Sequence, residues 1–181
     1  EEDCKNIVEK LNILLANYSV FYQNTRGAHW NIKGEQFFVL HPKFEELYDN
    51  LVLKIDEIAE RILTLGHVPS HNYSDYLKVS TIKESKEVHN GKKCVEDILN
   101  SFKVVIDLQR ELLEITDKAN DEGTNALLSG YITGCTMLIL DNHEFKSIKK
   151  GRSRKLLLPF FFILFLISIF VKNLSFEIST S

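Results

Sequence analysis

The sequence predicts an all-α domain: four long helices, with one long crossover between the second and third that carries a short helix. Apolar residues recur at intervals of three and four in four separate stretches, the mark of helices with one buried face. No segment shows the strict alternation that a sheet needs. Between the second and third stretches lie more than twenty residues without such a stripe, too many for a tight hairpin.

The first helix is expected from Asp3 or Cys4 to Trp30 or Asn31, with Asp3 as a candidate cap and Ile7, Leu11, Leu14, Tyr18, Tyr22, Thr25 and His29 along one face. Lys33-Gly34-Glu35 reads as a turn. The second helix begins near Phe38, since Pro42 is tolerated only in a first turn, and ends at Gly66 with Pro69 just beyond. Its stripe is Phe44, Leu47, Leu51, Ile55, Ile58, Ile62 and Leu65. Residues 67–90 form the crossover, with a short helix around Ser74 to Val79; Thr81-Ile82-Lys83-Glu84 has the form of a capping box. His67, His71 and His89 have no carboxylates at ligand spacing and read as exposed loop residues. The third helix spans Gly91 to Ala119, capped by Asn90, with Val95, Ile98, Phe102, Val105, Leu108, Leu112 and Ile115 facing inward. The fourth starts near Gly123 or Thr124 and carries Leu127, Leu128, Tyr131, Ile132, Cys135, Leu138 and Ile139, weakened by Gly130 and Gly134.

A length of 181 residues suits one domain with a sizeable core. The net charge of -3 exerts no general pull on nucleic acid. Cys4, Cys94 and Cys135 are scattered, without paired metal spacing, and fit a reducing cytoplasm; no signal peptide is visible. The average hides a division. Residues 1–132 carry 15 basic and 22 acidic side chains, and residues 133–181 carry 7 and 3.

The second helix has two faces. At about 100° per residue, Asp56 and Glu60 lie far around from Ile58, where a surface helix would be wholly polar. Instead, Val52, Leu53 and Leu63 share that side with Glu45, Asp49, Asp56 and Glu60. Two apolar faces imply two packing partners, so the carboxylates are expected to look toward a neighbouring subunit. His29 alone reads as a hydrogen-bonded core residue, His41 alone as an ordinary residue near a helix start, and the acid pair alone as a solvated face. Taken together they form a mixed imidazole and carboxylate ligand set, which suits iron, zinc or manganese.

At these residues the chain resembles the Dps family, the mini-ferritins, over about residues 5–132. The resemblance is carried by His29-Trp30-Asn31 with Gly34, by Leu40-His41-Pro42 leading into Phe44-Glu45-Glu46-Leu47-Tyr48, by Asp56-Glu57-Ile58-Ala59-Glu60-Arg61, and by Asp121-Glu122-Gly123-Thr124. It implies a ferritin-like four-helix bundle. It also implies a ferroxidase centre shared between two subunits: His29 and His41 from one, Asp56 and Glu60 from the other, and Glu45 supporting or completing the site. Trp30 falls where the family keeps an aromatic beside the iron. The family's activity is oxidation of Fe(II), preferentially with hydrogen peroxide, and storage of the ferric product in a dodecameric cytoplasmic shell. Acidic pores admit iron to such shells, a role open to Glu114, Asp117, Asp121 and Glu122, which otherwise read as a charged turn. The family's other role, DNA compaction, needs a basic extension, and Glu1-Glu2-Asp3 has the wrong sign.

After Ile132 the pattern breaks. The expected division is a ferritin-like domain at 1–140 and an atypical tail at 141–181. The tail has a basic run, Lys149 to Lys155, then sixteen uncharged residues from Leu156 to Val171. Six of the twelve phenylalanines lie between Phe160 and Phe176, so the stretch is far more apolar than the rest. Three readings stand: an altered reading frame, a membrane segment flanked by positive charge, or a packed extension. A membrane-tethered helical scaffold with a vestigial metal site follows only from the second. The altered end of the last helix bears on cage assembly more than on the ligands.

Overall fold

Residues 2–141 are described by the computed structural model, with side-chain surroundings given as far as Cys135. The expectations for Lys149 to Lys155 and Leu156 to Val171 lie outside the described residues. The described part is all-helical: α1 (Glu2–Asn31), α2 (Phe37–Thr64), α3 (Tyr73–Val79), α4 (Gly91–Lys118) and α5 (Glu122–Asp141).

The helix directions follow from side-chain contacts. Cys4 near the start of α1 meets the Leu65 carbonyl at the end of α2, while His29 near the end of α1 meets His41 near the start of α2, so the two run antiparallel. Lys10 pairs with Glu111, Tyr18 with Gln109 and Phe21 with Phe102, which makes α4 antiparallel to α1 as well. Hence α2 and α4 point the same way, and the chain must travel the length of the bundle between them. α5 closes the set: Arg61 reaches Thr124 and Glu57 reaches Tyr131, so it runs against α2. This is the ferritin-like bundle, up-down-down-up with one long crossover.

What holds the crossover is a row of asparagines on α1. Asn12 Oδ1 accepts from Ser70 N at 2.8 Å, and Asn24 Oδ1 accepts from Ser85 N at 2.9 Å. Between them, fully buried Asn17 accepts from the backbone N–H groups of Thr81 and Ile82, each at 3.0 Å, and donates to Ile13 O. Backbone groups laid across a helix must find partners, and these amides supply them. That is why eight consecutive residues of α1, Leu14 to Phe21, are buried: the helix is covered on every side. It is also why Thr81 to Glu84 starts no helix, despite its capping-box form. Its first two amides are already engaged by Asn17.

The helix ends differ from expectation by small amounts with clear causes. α1 begins at Glu2, so Asp3 lies in its first turn rather than at the cap. Pro42 lies in the second turn of α2, whose start at Phe37 is set by Phe37 N donating to Gly34 O across a turn with Gly34 at φ +87°. α2 ends in a Schellman motif: Gly66, at φ +82°, donates to Leu63 O, and His67 donates to Ile62 O. α4 ends the same way with Asn120 in the left-handed region, its N–H on Asp117 O and the Asp121 N–H on Thr116 O. Asn90 caps α4 as expected, accepting from Lys93 N.

The stripes on α2 and α4 fill the core with a shift. Ile98, Phe102, Val105 and Leu112 are buried, but Gln109 and Thr116 occupy core positions where Leu108 and Ile115 are only half-buried. Gln109 donates to Tyr18 Oη at 2.6 Å, and Tyr18 in turn lies 3.9 Å from Cys135 Sγ. Burial foremost pushes the Tyr18 phenol and the Cys135 thiol up.

Candidate metal centre

The loop between α1 and α2 brings His29 and His41 face to face. α1 ends at Asn31, so the His29 carbonyl lies in the last turn, where helical partners run out. His41 Nδ1 donates to it at 2.9 Å. The bond is returned, for His29 Nδ1 donates to the His41 carbonyl at 2.8 Å. A carbonyl only accepts, so each Nδ1 carries the ring proton and each Nε2 of the neutral imidazole keeps its lone pair. Both rings thus leave Nε2 as the free donor atom, with Nδ1 oriented by a backbone oxygen, the arrangement common in imidazoles that bind metals.

The rings are stacked, with centroids 3.8 Å apart and planes 22° from parallel. A metal bound to imidazole lies about 2.1 Å from the nitrogen and near the ring plane. Two rings in this relation address neighbouring positions rather than closing in-plane on one ion. Phe37 stacks on the outer face of His41 at 4.7 Å, and Tyr48 meets His29 edge-on at 5.4 Å. Arg26 lies 4.6 Å from the centroid of Trp30 and 5.2 Å from that of Tyr22. The Tyr48 phenol is raised above its ordinary value, first by desolvation and then by the carboxylates of Glu45 and Asp49, with Arg26 opposing.

Asp56 and Glu60 are exposed on α2, one turn apart, where two carboxylates can share an ion. Beside them Val52, Leu53 and Leu63 are exposed; Leu53 and Leu63 keep 61% and 57% of their surface open, so among the described residues nothing covers the apolar part of this second face. Trp30 (56%) and Phe38 (87%) add to the exposed apolar surface near the histidines. The structure brings His29 and His41 together, and places Glu45 one turn along α2 from His41. It does not bring Asp56 or Glu60 to them. Fifteen residues of helix separate His41 from Asp56, about 22 Å at 1.5 Å per residue. Among the described residues no group of three or more His, Cys, Asp or Glu could hold a metal ion. Among the described residues the interior offers no substitute: its buried polar side chains are amides, hydroxyls and the His29 imidazole, without a carboxylate.

Of the acidic residues around the α4–α5 turn, Asp121 is already engaged. It accepts from Arg61 Nη2 at 2.6 Å and caps α5 by accepting from Thr124 N at 3.0 Å. Glu114, Asp117 and Glu122 remain exposed. The asparagine row, the Arg61–Asp121–Thr124 cluster and the reciprocal histidine bonds are not foreseen from the sequence. The only signal for the last was the pairing of a helix-terminal histidine with another twelve residues on.

The ferritin-like domain family matches residues 8–136. The chain is 40% identical over 139 residues to the DNA protection during starvation protein of Porphyromonas gingivalis, covering 77% of this chain and 87% of that one. An uncharacterised protein of Haemophilus influenzae is 55% identical over 126 residues, or 70% of this chain and 79% of that one. Among solved structures, the Dps protein of Vibrio cholerae O1 is 46% identical with a TM-score of 0.78, covering 80% of this chain and 91% of the other. That protein is described as a member of a broad superfamily of ferritin-like diiron-carboxylate proteins.

Proposed function

Given that this chain belongs to the Dps family of ferritin-like proteins, we propose that it oxidises Fe(II) at centres shared between two copies and retains the ferric product. The observation that carries this reading is the split ligand set. Two imidazoles, of buried His29 and half-buried His41, are pre-oriented at the start of α2, and two acids stand about 22 Å along the same helix on its exposed, partly apolar face. A second copy packed against that face, related by a twofold axis, supplies each set with its complement twice over.

The roles follow from coordination chemistry. His29 with the partner's acids forms one position for iron. Glu45, one turn from His41, would hold a second iron or a water beside it, in keeping with the neighbouring positions that the stacked rings address. Anionic Asp56 and Glu60 offset the charge of iron and favour its ferric state. Two Fe(II) ions each give one electron to a hydrogen peroxide, which takes up two protons and leaves as two waters. Pairing the electrons in this way avoids releasing hydroxyl radical. DNA compaction is the second reading; exposed Glu2 and Asp3 in the first turn of α1 do not themselves neutralise phosphate. No helix among the described residues is long and apolar enough to cross a bilayer, and the stretch on which a membrane tether would rest, 156–171, lies outside them.

Titration with Fe(II) and peroxide, followed by size-exclusion chromatography, tests the proposal. The expected result is two Fe(II) consumed per peroxide, with iron co-eluting in a particle far larger than one chain. Iron left in the small-molecule fraction would contradict it.

A further inference from the structure

The ring stack at the α1–α2 loop contains one member with no ligand atom, and it is the first residue of α2. Phe37 lies one helical turn before His41, with its ring 4.7 Å from the imidazole centroid and 25° from parallel. His41 is therefore enclosed on one face by Phe37 and on the other by His29 at 3.8 Å, with its Nδ1 on the His29 carbonyl. Phe37 is itself placed by its N–H bond to Gly34 O and by an edge contact with Phe38 at 5.4 Å. Nothing else in this stack covers that outer face of His41. Without it, the imidazole gains room to turn about its side-chain torsions and to exchange tautomers, and the reciprocal bond from His29 loses its fixed partner.

We propose that Phe37 is a positioning residue: it presses the His41 ring against His29, so that both Nδ1–H groups reach the opposed carbonyls and both Nε2 lone pairs are presented before any metal arrives. This rests on the reading of His29 and His41 as iron ligands, but its first readout does not. Stacked against phenylalanine's flat face, His41 holds one tautomer; beside a flexible aliphatic chain, it samples both.

The test uses the full chain, labelled with nitrogen-15 in histidine and free of metal. Solid-state nitrogen spectra report the tautomer of each ring, with the His41 signals assigned by their loss in His41→Gln. Phe37→Leu keeps apolar bulk, and so the fold, but removes the flat face. Phe37→Tyr keeps the face. The wild type and Phe37→Tyr are expected to show His41 as the Nδ1–H form alone, and Phe37→Leu a mixture. Binding of Co(II), followed by its visible absorption, should weaken roughly fivefold in Phe37→Leu and be restored in Phe37→Tyr, the scale of one aromatic contact. Wild-type tautomers and Co(II) affinity in Phe37→Leu would overturn the proposal, as would equal loss in both variants, since bulk rather than stacking would then be the cause. If alanine at Asp56 and Glu60 left iron oxidation untouched, the functional reading would fail while the tautomer result still judged Phe37.

Discussion

With Asp56 and Glu60 both replaced by alanine, rapid Fe(II) oxidation is expected to be abolished. The fall should be on the order of 100-fold or more, the factor that about 3 kcal/mol of lost metal stabilisation represents. Both side chains are exposed and neither supports the bundle interior, so the helical content and unfolding midpoint should stay near wild type. That separation gives the experiment its force. A variant that folds, keeps its imidazoles locked and no longer oxidises iron identifies the acids as ligands rather than scaffold. Stopped-flow absorbance of the ferric product is the measurement. Unchanged kinetics would remove this centre from consideration.

The largest stability effect is expected at Asn17. Asn17→Leu keeps a branched side chain of similar shape but strips the acceptor from the amides of Thr81 and Ile82, the latter buried, while the Ser80 hydroxyl keeps the Ile82 carbonyl at 2.8 Å. A buried donor left without an acceptor costs about 1–3 kcal/mol, so the loss should reach roughly 3 kcal/mol. Asn24→Ala, at a half-buried position with a single accepted amide, should cost about 1 kcal/mol. Urea unfolding at fixed chain concentration gives both values, and hydrogen exchange at Thr81 and Ile82 should accelerate selectively in Asn17→Leu. Wild-type stability in Asn17→Leu would mean that the crossover is held by something other than this row.

Helix positions and the two-sided character of α2 were legible because hydrophobic periodicity is written in residue types. Leu53 and Leu63, facing away from the Ile58 stripe, are apolar residues that a surface helix has no reason to carry, and they are exposed in the single chain. The core's polar members were not legible. Gln109 and Thr116 look like surface residues until Tyr18 and its neighbours are packed around them. Asn17 gives no sign in the sequence that its partners lie more than sixty positions away. Part of the site was equally hidden: His29 and His41 were recognisable as ligand types, but the groups that orient them are backbone carbonyls, which have no residue identity. Pro42 showed a limit of a local rule, since the turn at Gly34 fixes the start of α2 earlier than proline tolerance suggests.

Complementation between two inactive variants tests the split site most directly. One chain carries His29→Ala with His41→Ala, the other Asp56→Ala with Glu60→Ala, and the two are co-expressed in equal amounts. If imidazoles and acids come from different copies, random pairing leaves half the pairs mixed, each with one intact centre of two. Iron oxidation should then return to about one quarter of the wild-type rate. A mixture as inactive as its components would place both ligand sets in one chain and contradict the account.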